Sequence, residues 1–440
     1  MTAASETATS VPLSRNRSFG LLWSGEAVSL VGTATATFLL PLTAVLLLHA
    51  GAGWMGALSA AAWLPWLLIG LPAGAWVDTR SPRTVMILSN LVAMIVSATV
   101  PIGWLLGVLS LPQLLVVELL LGCCTVFFRS AYPSLIRDIV PVDRLVPANA
   151  RLTGTESAIQ VLGPGLGGWL AGLLSTALAV VIQPITFAAS IICLARIRVS
   201  PRPRPAEAPE PLLARIRTGL WFVARDRYLR YLTLAGGLCN FGLTGYQALL
   251  LLWLTRELHA APSTVGTTLM IGSLGGLAGA VVAAPLARRL GSGRATVVTQ
   301  LTVGPPSLLL AFAGPGSWKP YVLATLITVG MGAVAGNVIR GAWRQSYVPV
   351  ELMGRVITAA QLINFGTMPL AGVAAGILGS RLGLHPTIMI MAGINALAGV
   401  AILVSPFRRL TELPTRSAQP LPARTLRAKA STTGHPSAAG

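Results

Sequence analysis

Charge is what this chain has least of. Of its 440 residues only 10% are Asp, Glu, Lys or Arg, where an average soluble domain carries about 25%. A polar outside cannot be built from so little charge. The excess apolar surface, with 54% hydrophobic residues and a mean hydropathy of +0.72, must therefore face lipid. Acidic residues are scarcer still, 13 against 32 basic ones, for a formal net charge of +19. In a soluble protein that excess points to nucleic acid. Here the basic residues lie between apolar runs, which excludes that reading. Lysine is nearly missing: Lys319 and Lys429 are the only two, and neither follows glycine. A phosphate-cradling G-x-x-x-x-G-K-[ST] loop is thereby excluded, and with it nucleotide-driven machinery in this chain. The four histidines, His49, His259, His385 and His435, fall in loops or tail, so the usual titrating switch is missing from the apolar segments. The four cysteines lie in apolar stretches without C-x-x-C or His-flanked spacing and read as small apolar residues, not as a disulfide or metal set. No cleavable signal pattern precedes the first apolar run.

What is present is a series of apolar runs. A bilayer core needs about 20 apolar residues per helix. Breaks at Gly, Pro and Arg predict twelve spans near 19–48, 52–76, 84–107, 112–138, 146–172, 175–195, 229–255, 263–288, 294–314, 319–346, 353–380 and 384–406. This gives an all-α membrane protein with five parts: a tail over 1–16, a six-helix bundle over 17–195, a linker over 196–228, a second six-helix bundle over 229–406 and a disordered tail over 407–440. Within the linker, Pro201-Arg-Pro-Arg-Pro205 reads as extended. Residues 212–225 place apolar and Arg positions at helical spacing, as in a helix lying on anionic headgroups. With the N-terminus inside, only Arg256, Lys319 and Arg381 fall in outer loops; this asymmetry predicts that both termini are cytoplasmic.

The two bundles repeat. Val140-Pro-Val-Asp143 recurs as Val348-Pro-Val-Glu351, and at the same offset Gly163-Pro-Gly-Leu-Gly-Gly168 meets Ala371-Gly-Val-Ala-Ala-Gly376. An even number of spans between copies predicts parallel halves related by an axis along the membrane normal.

Gly74-Ala-Trp-Val-Asp78-Thr-Arg80-Ser-Pro-Arg83, between the second and third spans, resembles the cytoplasmic loop signature of the major facilitator superfamily, G-x-L-a-D-r-x-G-r-k, with departures at Thr79, Ser81 and Pro82. Gly163, Pro164, Gly167 and Gly168 resemble the span-five motif of its proton-coupled drug antiporters. Phe127-Phe128 through Ala148-Asn149-Ala150, and Ala224-Arg225-Asp226, resemble its macrolide and siderophore exporter branch in bacteria. The resemblance covers nearly the whole chain. It implies a secondary transporter, not an enzyme, working as a monomer in the bacterial cytoplasmic membrane with no cofactor beyond a proton gradient. By the same resemblance Asp78 caps a helix of the opposite half and latches the cytoplasmic side, with Gly74, Arg80 and Arg83 in the same loop; an orienting salt bridge is the alternative.

An ionisable residue inside a span is a candidate functional group, and a carboxyl group there can load and release a proton. Three acids qualify: Glu26, Glu118 and Glu156. Glu26 lies about 12 Å into span one and either couples protons or pairs with Arg15 or Arg17. Glu118, which stands where the superfamily's span-four motif usually has Arg, shares a helix face with Gly122, Thr125 and Arg129. It either binds a cationic substrate or the proton, or is a solvated acid near the outer mouth. Glu156 shares a face with Gln160, Gly163 and Gly167 that is expected to pack against the other half, where pairing with Arg151 or span eight competes with coupling. Arg129 and Arg340 either meet an anionic or zwitterionic group, pair with the acids, or snorkel. Asn240, Tyr246, Gln247 and Asn337 are polar groups for substrate or for interhelical hydrogen bonds. The stripes Gly272, Gly275, Gly276, Gly279 and Gly163, Gly167, Gly168 are expected to form the smooth interface between the halves. The expected function is export of amphipathic small molecules by proton antiport; nutrient uptake, sodium coupling and a non-transporting sensor are the rivals.

Overall fold

The computed structural model describes Leu13 and residues 16–198 and 212–415. The Pro-Arg stretch 201–205 and the tail from 416 onward lie outside the described residues. Helices account for the architecture, and no strand occurs among the described residues. The first half comprises α1 (Arg17–Leu46), α2 (Ala52–Leu68), α3 (Gly70–Asp78), α4 (Pro82–Leu105), α5 (Leu111–Ile139), α6 (Leu145–Leu173), α7 (Thr176–Ala179) and α8 (Ile182–Ala195). After α9 (Leu212–Arg225) the second half comprises α10 (Arg227–Arg256), α11 (Pro262–Leu290), α12 (Ser292–Val303), α13 (Trp318–Tyr347), α14 (Val350–Leu382) and α15 (Leu384–Val400).

Ten stretches among the described residues are long and apolar enough to cross a membrane. Here α7 and α8 count as one stretch, and α12 and α15 each continue through a 3-10 turn. The bent pair α2–α3 and the more polar α6, which carries Arg151 and Glu156, complete the twelve. The bend has a local cause. Pro65 removes a helical hydrogen bond, and Gly70 with Pro72 restarts the helix in a first turn, where proline's missing N–H is harmless. Large apolar side chains such as Leu88, Ile95, Leu234, Val281 and Leu397 are exposed, as a lipid-facing belt requires.

The repeat is visible in packing. Val140 and Val348 are both buried at the loop that precedes α6 and α14 respectively. Gly168 of α6 then meets Gly266 of α11, and Gly376 of α14 meets Gly56 of α2. These two pseudo-equivalent crossings join the halves. The expected interface is corrected by them: Gly272, Gly275 and Gly279 pack on Leu326, Ile327 and Met331 of α13, within the second half, and Gly163 and Gly167 pack on Ala34 and Phe38 of α1, within the first. Only Gly168 of the two predicted stripes, joined by Gly165 against Met270, touches the other half.

Burial differs between the two ends of the bundle. At the ends of α1 and α10 farthest from the N-terminus, one continuous apolar core joins both halves: Leu39, Leu42, Met55 and Leu58 share it with Leu249, Leu252, Trp253 and Ile388. At the opposite end the core splits in two. Phe19, Leu22, Met86 and Leu135 form one cluster in the first half, while Phe222, Tyr228, Trp343 and Phe407 form another in the second. Among the described residues the apolar core is thus shared by the halves at one end and divided between them at the end from which α1 starts.

Two boundaries shift. Residues 407–415 are docked, not a loose tail: Phe407 and Leu413 are buried, the Trp343 indole donates to the Pro414 carbonyl at 2.9 Å, and Glu412 accepts from the Ser292 amide and hydroxyl at 3.2 and 2.6 Å. Those bonds hold the Glu412 carboxyl below its usual range. The helix expected on headgroups, α9, is also anchored to protein, since Gly219 lies directly against the Arg355 backbone of α14.

Candidate functional site

A cavity of about 570 Å³ lies between the halves. Its charged wall belongs wholly to the first half, where α1 supplies Glu26 and α5 supplies Glu118 and Arg129. Arg129 and Glu156 form a two-pronged ion pair, Nη2 to Oε1 at 2.5 Å and Nη1 to Oε2 at 3.3 Å. Gln160 adds a longer hydrogen bond to the same carboxylate at 3.4 Å. Glu156 thus turns toward α5 of its own half, which corrects the expected pairing with Arg151 or span eight. Residues 27 apart in sequence meet because α5 and α6 are antiparallel neighbours of α1. Glu26 is buried and lies within electrostatic reach of both members of the pair, so the three form one cluster. Arg129 is thereby a paired group and not a snorkelling one.

Glu118 stands apart. It is half-buried, lines the cavity and makes no hydrogen bond or ion pair among the described residues. The helix face expected from spacing is present: Leu121, Gly122, Thr125, Phe128 and Arg129 line the cavity with it. Its neighbours Leu114, Val117 and Leu121 belong to the shared apolar core, so Glu118 is not an acid solvated at the outer mouth.

The second half contributes an almost wholly apolar wall. Leu250, Leu251 and Leu254 of α10, Leu269 of α11 and Leu326 of α13 face the cavity, relieved only by Thr244 and Gln247. Trp63 and Trp66 of α2 add aromatic surface, and both rings lie against Phe365 of α14, with centroids 6.0 and 5.6 Å away.

Of the neutral polar candidates the structure brings only Gln247 to this cavity. Asn240 donates to Asn364 of α14 at 3.3 Å, and Tyr246 is fully buried in the apolar core. Arg340 donates to Gln300 and Asn337, each at 3.1 Å, so this pair is held within the second half. Spacing did not single out Asn90 or Gln183, yet both line the cavity. The Gln183 Oε1 is buried without a hydrogen-bond partner. A lone glutamine in an otherwise apolar span was the available signal.

In the first turn of α4, Arg83 donates to the Leu194 carbonyl at 2.8 Å and also to that of Ala195. It therefore satisfies the last carbonyls of α8 within the first half. Arg80 lies over the Trp76 ring at 5.7 Å, and a Cβ at Gly74 would meet nothing. The Asp78 and Glu351 side chains lie outside what the structure describes.

Two six-helix halves related by a repeat, crossing through glycine contacts around one central cavity, define a multi-pass membrane transporter. The chain belongs to the Major Facilitator Superfamily, whose family model matches residues 22–370 and again 232–434. The multidrug efflux pump Tap of Mycolicibacterium fortuitum is 29% identical over 365 residues, covering 80% of this chain and 87% of that protein. Among solved structures, the nucleoside transporter NupG shares the fold with a TM-score of 0.73 at 10% identity, covering 89% of this chain and 99% of its own. A bacterial homologue of the iron transporter ferroportin in its inward-facing state does so with a TM-score of 0.69 at 18% identity, covering 88% and 98%.

Proposed function

We propose that this transporter exports amphipathic small molecules across the bacterial cytoplasmic membrane by proton antiport, with alternating access and both termini in the cytoplasm. The observation that carries the reading is the division of the cavity wall: the charged groups Glu26, Glu118 and Arg129 all come from the first half, and the second half offers leucines with only Thr244 and Gln247 as polar relief. An amphipath entering through the end where the core is divided lays its apolar body on Leu250, Leu251, Leu254, Trp63 and Trp66 and turns a cationic group toward Glu118. Export follows when that end closes and the core around Leu42 and Leu252 separates. Glu26, beside the Arg129–Glu156 pair, takes up a proton from outside and releases it inside on return. Each proton moving inward supplies about 2.3 kcal/mol per 100 mV. The similarity to a multidrug efflux pump supports the outward direction. The cavity is lined within one chain, which supports a monomer as the working unit, with an ion gradient in place of a cofactor.

The test is uptake of a lipophilic cation by energised inside-out vesicles. Uptake should collapse with a protonophore and persist without ATP. Uptake that survives a protonophore but fails without sodium would replace the proton by sodium, and accumulation in right-side-out vesicles would replace export by uptake.

A further inference from the structure

A second depression lies on the outside of the second half, away from the transport cavity. It encloses about 380 Å³ between the first turns of α10 and the end of α15, with Leu234, Leu238, Ala398 and Ala401 as its floor and Arg227 and Arg230 at its rim. Its direction follows from the other contacts of α10. Gly236 and Gly237 face α14, whereas Gly242 and Gly245 face α15. At about 100° per residue, Leu234 falls on the strip left between those two faces, and it is 59% exposed. In a chain that spans the bilayer, that strip faces acyl chains.

The rim has the opposite character. Arg227 and Arg230 are exposed, and neither forms an ion pair among the described residues. Arg227 lies 4.6 Å from the Tyr228 ring centre and donates to its hydroxyl at 2.6 Å, and Arg230 donates to the Ala224 carbonyl at 3.1 Å. These contacts orient both guanidinium groups and leave further N–H donors unused. The adjacent acid is turned elsewhere: Asp226 is buried and accepts from the Tyr228 and Leu229 amides and the Tyr347 hydroxyl. Arg227 opens the helix, so the two arginines lie at headgroup level, with Leu234 and Leu238 one and two turns deeper than Arg230.

We propose that this groove binds one anionic phospholipid of the adjacent leaflet, its phosphate on Arg227 and Arg230 and an acyl chain along Leu234 and Leu238. Basic pockets between membrane helices suit anionic headgroups, and a phosphate can accept from two guanidinium groups at once. Bound there, the lipid bridges α10 and α15 on the face opposite the substrate. The inference is independent of which substrate is carried.

The test uses the full purified chain in neutral detergent. Phosphatidylglycerol, phosphatidylcholine and inorganic phosphate are added separately, with Tm followed by thermal unfolding and retained lipid counted by native mass spectrometry. Phosphatidylglycerol should raise Tm and remain bound, whereas phosphatidylcholine and phosphate should do neither. R227Q/R230Q should lower phosphatidylglycerol affinity roughly 30-fold, with R230Q alone at roughly fivefold. A401F, which fills the floor without changing charge, should weaken binding as well. R288Q/R289Q, which removes an exposed basic pair at the end of α11, should leave it unchanged. Equal phosphatidylglycerol binding by wild type, R227Q/R230Q and R230Q would overturn the proposal. So would equal losses in R227Q/R230Q and R288Q/R289Q, which would mean diffuse surface charge. Phosphate matching phosphatidylglycerol would overturn it in favour of a plain anion site.

Discussion

Gly266→Ala places one methyl group at one of the two glycine crossings that join the halves, where α11 meets α6. A Cβ on Gly266 would stand 2.5 Å from the Pro164 carbonyl oxygen and 2.8 Å from the Gly168 Cα. Ordinary contact begins near 3.4 Å, and both obstacles are backbone, so α6 and α11 must part by the better part of an ångström. Overpacking of this kind costs about 1–3 kcal/mol. In alternating access the contact exists only while the outer side is closed, so the whole penalty falls on the inward-open state. The outward-open population should then rise roughly 5–150-fold. Two controls isolate the effect. Gly165→Ala meets the flexible Met270 side chain and should change little. Gly275→Ala meets the Ile327 backbone inside the second half and should lower Tm without moving the equilibrium. The assay is pulsed electron paramagnetic resonance between spin labels at the outer ends of α6 and α11. Distance distributions for Gly266→Ala that overlay the wild type, in a folded protein, would refute the reasoning.

Three further outcomes follow from named contacts. Glu118→Gln should weaken a cationic ligand by about 1–3 kcal/mol, at least several-fold, while sparing a neutral ligand of similar shape, as read by equilibrium binding to purified protein. Asp226→Ala removes the cap of α10 and the bond that the Tyr347 hydroxyl donates to Asp226; these losses together should cost about 1–3 kcal/mol of stability in thermal unfolding. Because the Glu412 carboxyl sits below its usual range, its contribution is present above the ordinary carboxylate pKa and is lost as pH falls through the lowered value. Hydrogen exchange at the amides of Ser292 and Leu413 should therefore accelerate only at that acidic end, and Glu412→Gln should abolish the pH dependence.

The spans were legible because a bilayer imposes a length and an apolar content that local sequence must meet. The break between α2 and α3 was not: 52–76 reads as one span, although Pro65, Gly70 and Pro72 lie at the break. The repeat was legible too, since the valines of Val140-Pro141 and Val348-Pro349 are buried at matching turns. What failed was assigning partners. Helical spacing places Glu156 and Gly163 on a face, but not which neighbour that face meets; pairing of Arg129 with an acid was among the expectations, but not that the acid is Glu156. The same gap misplaced Gly272, Gly275 and Gly279, whose small size announces close approach without saying to what. Phe407 and Leu413 were missed for a different reason. Two apolar anchors among Arg408, Arg409 and Glu412 do not stand out as a packed segment, because their burial depends on a pocket built by α10, α12 and α13.

Proton coupling is tested most directly in proteoliposomes holding a pH-sensitive dye and no imposed potential. Adding a gradient of a transported lipophilic cation should drive protons in the opposite direction, with matched time courses. In Glu26→Gln/Glu118→Gln protein that proton movement should vanish while the chain stays folded. Substrate flux through wild-type protein with no counterflow of protons, or undiminished counterflow in the doubly substituted protein, would contradict antiport through these carboxylates.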